Sequence, residues 1–189
     1  MQPFILWPTE YNHITQGWGE RPSYYGKFGL PYHEGIDIRA LVGTLLYAGV
    51  DGTVSEVGFR TRTHAYGYAF RIRFPLEDGL YELIYAHGKR NSAKFNKGET
   101  VQQGQVVMLA DTTGNTRASH LHLSLKKCVT DKSRAAHTPT WARDELDYFF
   151  LDNGEAMINP EPWLIPFEES QKLIKGRLST PVKGDAINT

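Results

Sequence analysis

Three short stretches of the chain carry residue types at spacings that suit metal chemistry. The first is His33-Glu34-Gly35-Ile36-Asp37-Ile38. If it is extended, positions 33, 35 and 37 share one face, and 36 and 38 share the other. His33 and Asp37 then sit together across the side-chain-free Gly35, while Ile36 and Ile38 turn into a core. An imidazole nitrogen and a carboxylate oxygen are both common zinc ligands, at roughly 2.0–2.2 Å. The plain alternative is a surface histidine near a turn aspartate. The second stretch is Ser119-His120-Leu121-His122-Leu123-Ser124-Leu125. Its two histidines face one side of a strand, and its three leucines face the core. Paired imidazoles on an otherwise apolar strand need partners, because burying unpaired polar groups is costly. A metal ion would satisfy them, and so would solvent. The third is Tyr85-Ala86-His87, where a lone histidine ending a strand is ordinarily structural or exposed.

The elements that must position these residues read as strands. Thr53–Val57, Tyr68–Phe74, Tyr81–Ala86, Val106–Ala110 and His120–Leu125 are alternating or short β-branched runs, each bounded by turn residues. Asp78-Gly79 between two alternating runs signals a hairpin. The expectation is a mainly β protein: an antiparallel two-sheet sandwich or open barrel with a central groove, and short helices in the C-terminal third. Trp141–Leu151 reads as one short helix. Phe167–Leu178 reads as a polar helix or a frayed tail, so residues 1–166 are taken as the main domain and 167–189 as a tail or short helix.

Four of these motifs, in order, resemble the lysostaphin-type zinc endopeptidases that cleave peptidoglycan peptides. Ile14–Pro22 looks like that family's opening strand and Gly-x-Arg-Pro turn, and His33–Asp37 matches its His-x-Gly-x-Asp signature. Tyr85-Ala86-His87 matches its Tyr-x-His element, and His120-Leu121-His122 its His-x-His. The resemblance runs from about residue 14 to residue 162. It implies one zinc ion held by His33, Asp37 and His122, with His87 and His120 as the catalytic histidines beside it. Three protein ligands leave one tetrahedral position open, the pattern of a catalytic zinc. Glu34 alternates away from the metal and is not assigned as the base. Among the family's departures here, Gly88 stands where leucine is usual, and Arg117 precedes the last motif. Arg117, and His64 in a stretch at 60–67 that reads as a loop, are candidate substrate contacts. The segment from Lys126 to Glu155 is longer than a minimal family core requires and reads as a lid, a groove extension or a partner surface.

Bulk properties narrow the classes. The 189 residues carry 21 basic and 21 acidic side chains, which argues against a broad basic surface for nucleic acid. The single Cys128 allows no intrachain disulfide. The first eight residues do not read as a signal peptide, and no apolar run reaches the roughly 20 residues of a membrane span. Together with the resemblance, which implies the activity, these properties lead to the expectation of a monomeric cell-wall peptidase. It is either synthesised in the cytoplasm and released as a phage-type lysin, or it is a domain of a longer exported chain. The competing classes are a non-catalytic regulator of wall enzymes on the same fold, which predicts missing ligands, and a barrel-sandwich carrier domain, which leaves the placed histidines unexplained. His13 and His137 lie outside every motif and read as surface residues.

Overall fold

The alternating runs pair as their periodicity predicts. A computed structural model of the chain describes residues 4–28, 30, 32–59, 65–128, 148–150 and 156–178. Its strands are β1 (Ile14–Gln16), β2 (Ile36–Arg39), β3 (Leu45–Tyr47), β4 (Gly52–Gly58), β5 (Tyr68–Leu76) and β6 (Gly79–Gly88). They continue with β7 (Thr100–Val101), β8 (Val106–Leu109), β9 (His120–Cys128), β10 (Tyr148–Phe150) and β11 (Ala156–Ile158). Helix α1 (Pro22–Tyr25) is one turn long, and α2 spans Phe167–Leu178.

A nine-stranded antiparallel sheet runs β1-β2-β9-β6-β5-β4-β7, with β11 on β9 and β10 on β11. Strands β3 and β8 form a second, two-stranded sheet. The hairpin expected at Asp78-Gly79 joins β5 to β6, with Leu76 paired to Gly79. Strand β9 is the organising element. It pairs with β6 along one edge. Along the other edge it pairs first with β2, through Ile36↔Leu123 and Asp37↔His122, and then with β11, through Ile158↔Leu125.

One face of the large sheet is the core. Leu121, Leu123 and Leu125 of β9, Ile36 and Ile38 of β2, Leu83 and Tyr85 of β6, and Phe70 and Ile72 of β5 are fully buried there. They form one cluster with Leu46 of β3 and with Val107 and Met108 of β8. Burying a Leu, Ile or Phe side chain stabilises by about 1.5–3 kcal/mol, so this face holds the sheet together and leaves its opposite face free to carry polar groups. Alternation sends His120, His122, Ser124 and Lys126 to that opposite face.

The C-terminal third corrects one expectation. Residues 148–150 are not helical but form β10, paired with β11 through Phe149↔Met157. Tyr-Phe-Phe is a strong β-former, and an available edge strand prevails over the weak helical periodicity. Residues 129–147 and 151–155, which hold the rest of the expected helix, His137 and most of the long 126–155 segment, lie outside the described residues. Helix α2 covers Phe167–Leu178 as read from the sequence and docks on the N-terminal strip. Ile174 is buried with Leu6 and Tyr47, and the Trp7 amide donates to the Ser170 hydroxyl at 2.9 Å. Among the described residues, no helix is long and apolar enough to cross a membrane.

Candidate metal centre

Asp37 and His122 are cross-strand partners on β2 and β9, and their side chains meet on the polar face. His33 lies just before β2, strapped in place by its main chain. Its amide donates to the Glu20 carbonyl at 3.1 Å, and its carbonyl accepts from Gly19 at 3.0 Å. The turn beginning at Gly17 is therefore the cradle of His33. Tyr25 of α1 stacks on the His33 ring, with centroids 5.3 Å apart.

Three donor atoms converge. His33 Nε2 lies 2.9 Å from His122 Nδ1 and 3.1 Å from Asp37 Oδ1, and His122 Nδ1 lies 3.0 Å from the same oxygen. Ligands roughly 2.0–2.2 Å from a tetrahedral zinc stand about 3.3–3.5 Å apart, so a few tenths of an ångström of opening would admit the ion. Two imidazole nitrogens and one carboxylate oxygen also suit zinc better than magnesium or calcium, which favour all-oxygen shells. Among the described residues, these three form the group of His, Cys, Asp and Glu side chains disposed to hold a metal.

Gly35 is required here for close approach. A Cβ at that position would lie 2.6 Å from the Leu123 carbonyl oxygen and 2.8 Å from both His122 Cε1 and Ser124 Oγ. Only glycine lets β2 seat against the His122 ring.

His120 and His87 flank the trio. His120 Nε2 lies 3.4 Å from Asp37 Oδ1, and the rings of His87 and His120 are 4.7 Å apart. His87 reaches the site through a distortion. Between Phe70↔Tyr85 and Tyr68↔Gly88, β6 carries one residue more than β5, and His87 sits in the bulge with φ +59°. A non-glycine residue held in this left-handed region costs roughly 1–2 kcal/mol. Its amide donates to the Tyr66 carbonyl at 2.8 Å and its carbonyl accepts from Asp111 at 2.9 Å. The bulge turns the imidazole onto the polar face, a re-aiming that strict alternation cannot predict. The next residue is Gly88, where a Cβ would run into the Met108 sulphur and lie 3.0 Å from the Tyr68 carbonyl oxygen, so a larger residue would require Met108 to shift. The departure noted at position 88 is thus a packing solution on the core side.

The electrostatics follow from one buried carboxylate among imidazoles. Burial alone would raise the Asp37 carboxyl, but its hydrogen-bonding contacts with His120, His122 and His33 outweigh it and hold its pKa far below the ordinary carboxylate range. Burial disfavours the charged forms of His33 and His120, yet the hydrogen bond and charge of Asp37 overcome this and raise both. His87 lacks such a partner. Burial, with the neighbouring charges of His122 and His120, pushes it down to about 3.

Of the remaining sequence candidates, Arg117 is exposed on the loop before β9, and His13 is exposed. His64 lies outside the described residues. Glu34 is not one of the three convergent donors; it precedes β2 and accepts a hydrogen bond from the Tyr66 hydroxyl at 3.0 Å. Tyr66 itself was missed by the sequence reading. Its ring stacks on His122, with centroids 5.4 Å apart and planes at 29°, and burial raises its phenol well above the usual value.

Comparisons with known proteins agree with this geometry. The sequence model described as Peptidase family M23 matches residues 31–136, a span that begins just before His33 and runs past His122. Glycyl-glycine endopeptidase ALE-1 of Staphylococcus capitis is 32% identical over 111 residues, covering 59% of this chain and 29% of that protein. Peptidoglycan DD-endopeptidase ShyC of Vibrio cholerae serotype O1 is 29% identical over 119 residues, covering 63% of this chain and 26% of that protein. The crystal structure of a zinc-containing peptidase from Vibrio cholerae superposes with a TM-score of 0.54 at 28% identity, covering 66% of this chain and 36% of that one. The chain thus spans less than a third of the length of these curated relatives.

Proposed function

The chain belongs to peptidase family M23, and from that premise we propose that it is a zinc endopeptidase hydrolysing peptide bonds in peptidoglycan stem peptides or cross-bridges. The observation that carries this reading is the convergence of His33 Nε2, Asp37 Oδ1 and His122 Nδ1 within about 3 Å of one another, with two further imidazoles at its edge. The names of the relatives, one a glycyl-glycine endopeptidase and one a peptidoglycan DD-endopeptidase, support wall peptides as the substrate class and the cell wall as the place of action. A non-catalytic regulator would lack ligands. Here all three are present with both flanking histidines.

In this reading His33, Asp37 and His122 would hold the ion, which when bound would supply Lewis-acid polarisation of the scissile carbonyl and acidify the attacking water. The chain's own residues handle the protons. His120 Nδ1 is bound to the Ala118 carbonyl at 2.9 Å, so Nε2 keeps the lone pair that can take a proton. His87 Nδ1 is bound to the Thr113 carbonyl at 2.7 Å, which leaves its Nε2 to face the reacting group. With Nδ1 committed to a carbonyl in both, each Nε2 acts first as a proton acceptor, and it can donate to the oxyanion or the leaving amine only after taking up a proton. Arg117, exposed beside this end of β9, serves as a substrate contact at the groove edge.

The test pairs zinc content with cleavage. Purified chain should hold one equivalent of zinc and cleave isolated cell walls, assayed in parallel on glycine-bridged and D-alanine-linked peptides to identify the bond. Zinc bound without cleavage of any wall substrate would refute the substrate class. Full zinc in a His33→Ala, His122→Ala double variant would refute the site.

A further inference from the structure

Three of the four clustered imidazoles are oriented by one device. His33, His87 and His120 each direct Nδ1 at a backbone carbonyl, those of Gly17, Thr113 and Ala118, at 2.9, 2.7 and 2.9 Å. A carbonyl only accepts, so Nδ1 bears the hydrogen and Nε2 turns its lone pair to the site. His122 is reversed. Its Nδ1 faces His33 and Asp37, and its Nε2 meets the Ser124 hydroxyl at 2.6 Å.

A hydroxyl can donate or accept. It fixes the His122 tautomer only if its own hydrogen is committed elsewhere. That commitment is present. Ser124 hydrogen-bonds the Tyr66 oxygen, and the Tyr66 hydroxyl donates to Glu34 Oε1 at 3.0 Å. The series ends on a carboxylate, which accepts and does not donate, so each hydrogen along it points toward Glu34. The two ends of the series are shielded from solvent, Ser124 at 0% exposure and Glu34 at 8%, and Tyr66 between them is partly buried. Glu34 Oε2 is buried with no hydrogen-bond partner among the described residues. Such an oxygen costs stability, and a side chain kept only for packing would avoid that cost.

We propose that Glu34, Tyr66 and Ser124 are positioning residues, a buried hydrogen-bond relay that holds His122 with its hydrogen on Nε2 and its Nδ1 lone pair presented to the metal. The proposal rests on the reading of His122 as a metal ligand. It gives Glu34 a role other than ligand or base, and it extends to a four-residue series the carboxylate support that metal-bound histidines commonly receive directly.

The experiment is zinc affinity by chelator competition on the full chain, with the visible spectrum of the cobalt-substituted protein as a second readout. Tyr66→Phe and Ser124→Ala should each weaken zinc binding about 10- to 100-fold and alter the cobalt spectrum. The double variant should be little worse than the weaker single one, because the series acts as a unit. Wild-type affinity and spectrum in both single variants would overturn the relay, even if the metal-free unfolding midpoint drops, since that combination is the mark of packing alone. The two readings fail separately. His122→Ala binding zinc like wild type would sink the ligand assignment, whereas loss of zinc in His122→Ala with both relay variants unaffected would sink the relay only.

Discussion

Two buried polar clusters occupy the same face of the same sheet, and they are built on opposite principles. Around Glu82 of β6 stand Arg71 at 3.3 Å, Arg73 at 2.9 Å and Lys126 at 3.1 Å, while the Ser55 hydroxyl donates to it at 2.7 Å. Arg71 also reaches Glu56 at 3.3 Å. Each anion there meets donors that the chain itself supplies, and the cluster closes. Four residues along β9 from Lys126, the cluster at His122 does the reverse. Lone pairs of two imidazoles and a carboxylate point at one another within about 3 Å. Such an arrangement is favourable only with hydrogens or a cation among the acceptors. Burial of charge therefore does not by itself mark a functional site on this sheet. What separates the two clusters is whether the convergent atoms are mutually complementary or all of one kind.

That contrast is best broken at the strongest point. His33→Ala or His122→Ala should abolish stoichiometric zinc and reduce wall cleavage to background, read by metal analysis and turbidity loss, with the Glu82 cluster untouched. The next effect is smaller and sharper. His120→Ala should keep zinc while kcat falls about 10²- to 10⁴-fold, the range for a lost general acid or base. Zinc loss in that variant would mean that ligand and base had been interchanged.

Much of this contrast was legible in the sequence, and the parts that were not have physical reasons. Period-two alternation placed His120 with His122, because a buried core face of leucines and isoleucines fixes the register. The pairing of His33 with Asp37 was also read from alternation, but His33 precedes β2 and is brought there by its main-chain bonds to Glu20 and Gly19. His87 was legible only through family resemblance. It reaches the site by a bulge with a left-handed residue, and nothing in Tyr-Ala-His-Gly announces that. The Glu82 cluster was invisible as a cluster, since Arg71, Arg73, Glu82 and Lys126 come from three strands whose pairing the sequence does not state. Tyr66 escaped for the same reason. The helix read at 141–151 failed at 148–150 because an edge strand offered hydrogen bonds that local periodicity does not record.

The closed cluster makes the smallest predictions and the ones that isolate it. Glu82→Gln leaves Arg71 and Lys126 buried without their shared anion and should destabilise by about 3 kcal/mol in denaturant unfolding, with zinc content unchanged. Acid should remove the same contribution gradually. Burial alone would raise the Glu82 carboxyl, but Lys126, the Ser55 hydrogen bond and Arg71 outweigh it and bring it down to about 2, from an ordinary value of 4.5. A lowered folded-state pKa gives stability that is fully present above the unfolded value and lost as pH falls toward the folded one. The gap between wild type and Glu82→Gln should thus be constant above about pH 5.5, narrow by about 1.4 kcal/mol at pH 3.5, and close near pH 2. Taking the difference between the two proteins cancels the titration of the histidine cluster, which both share. A gap that holds its size down to pH 2 would mean that Glu82 is not the anion neutralising this face.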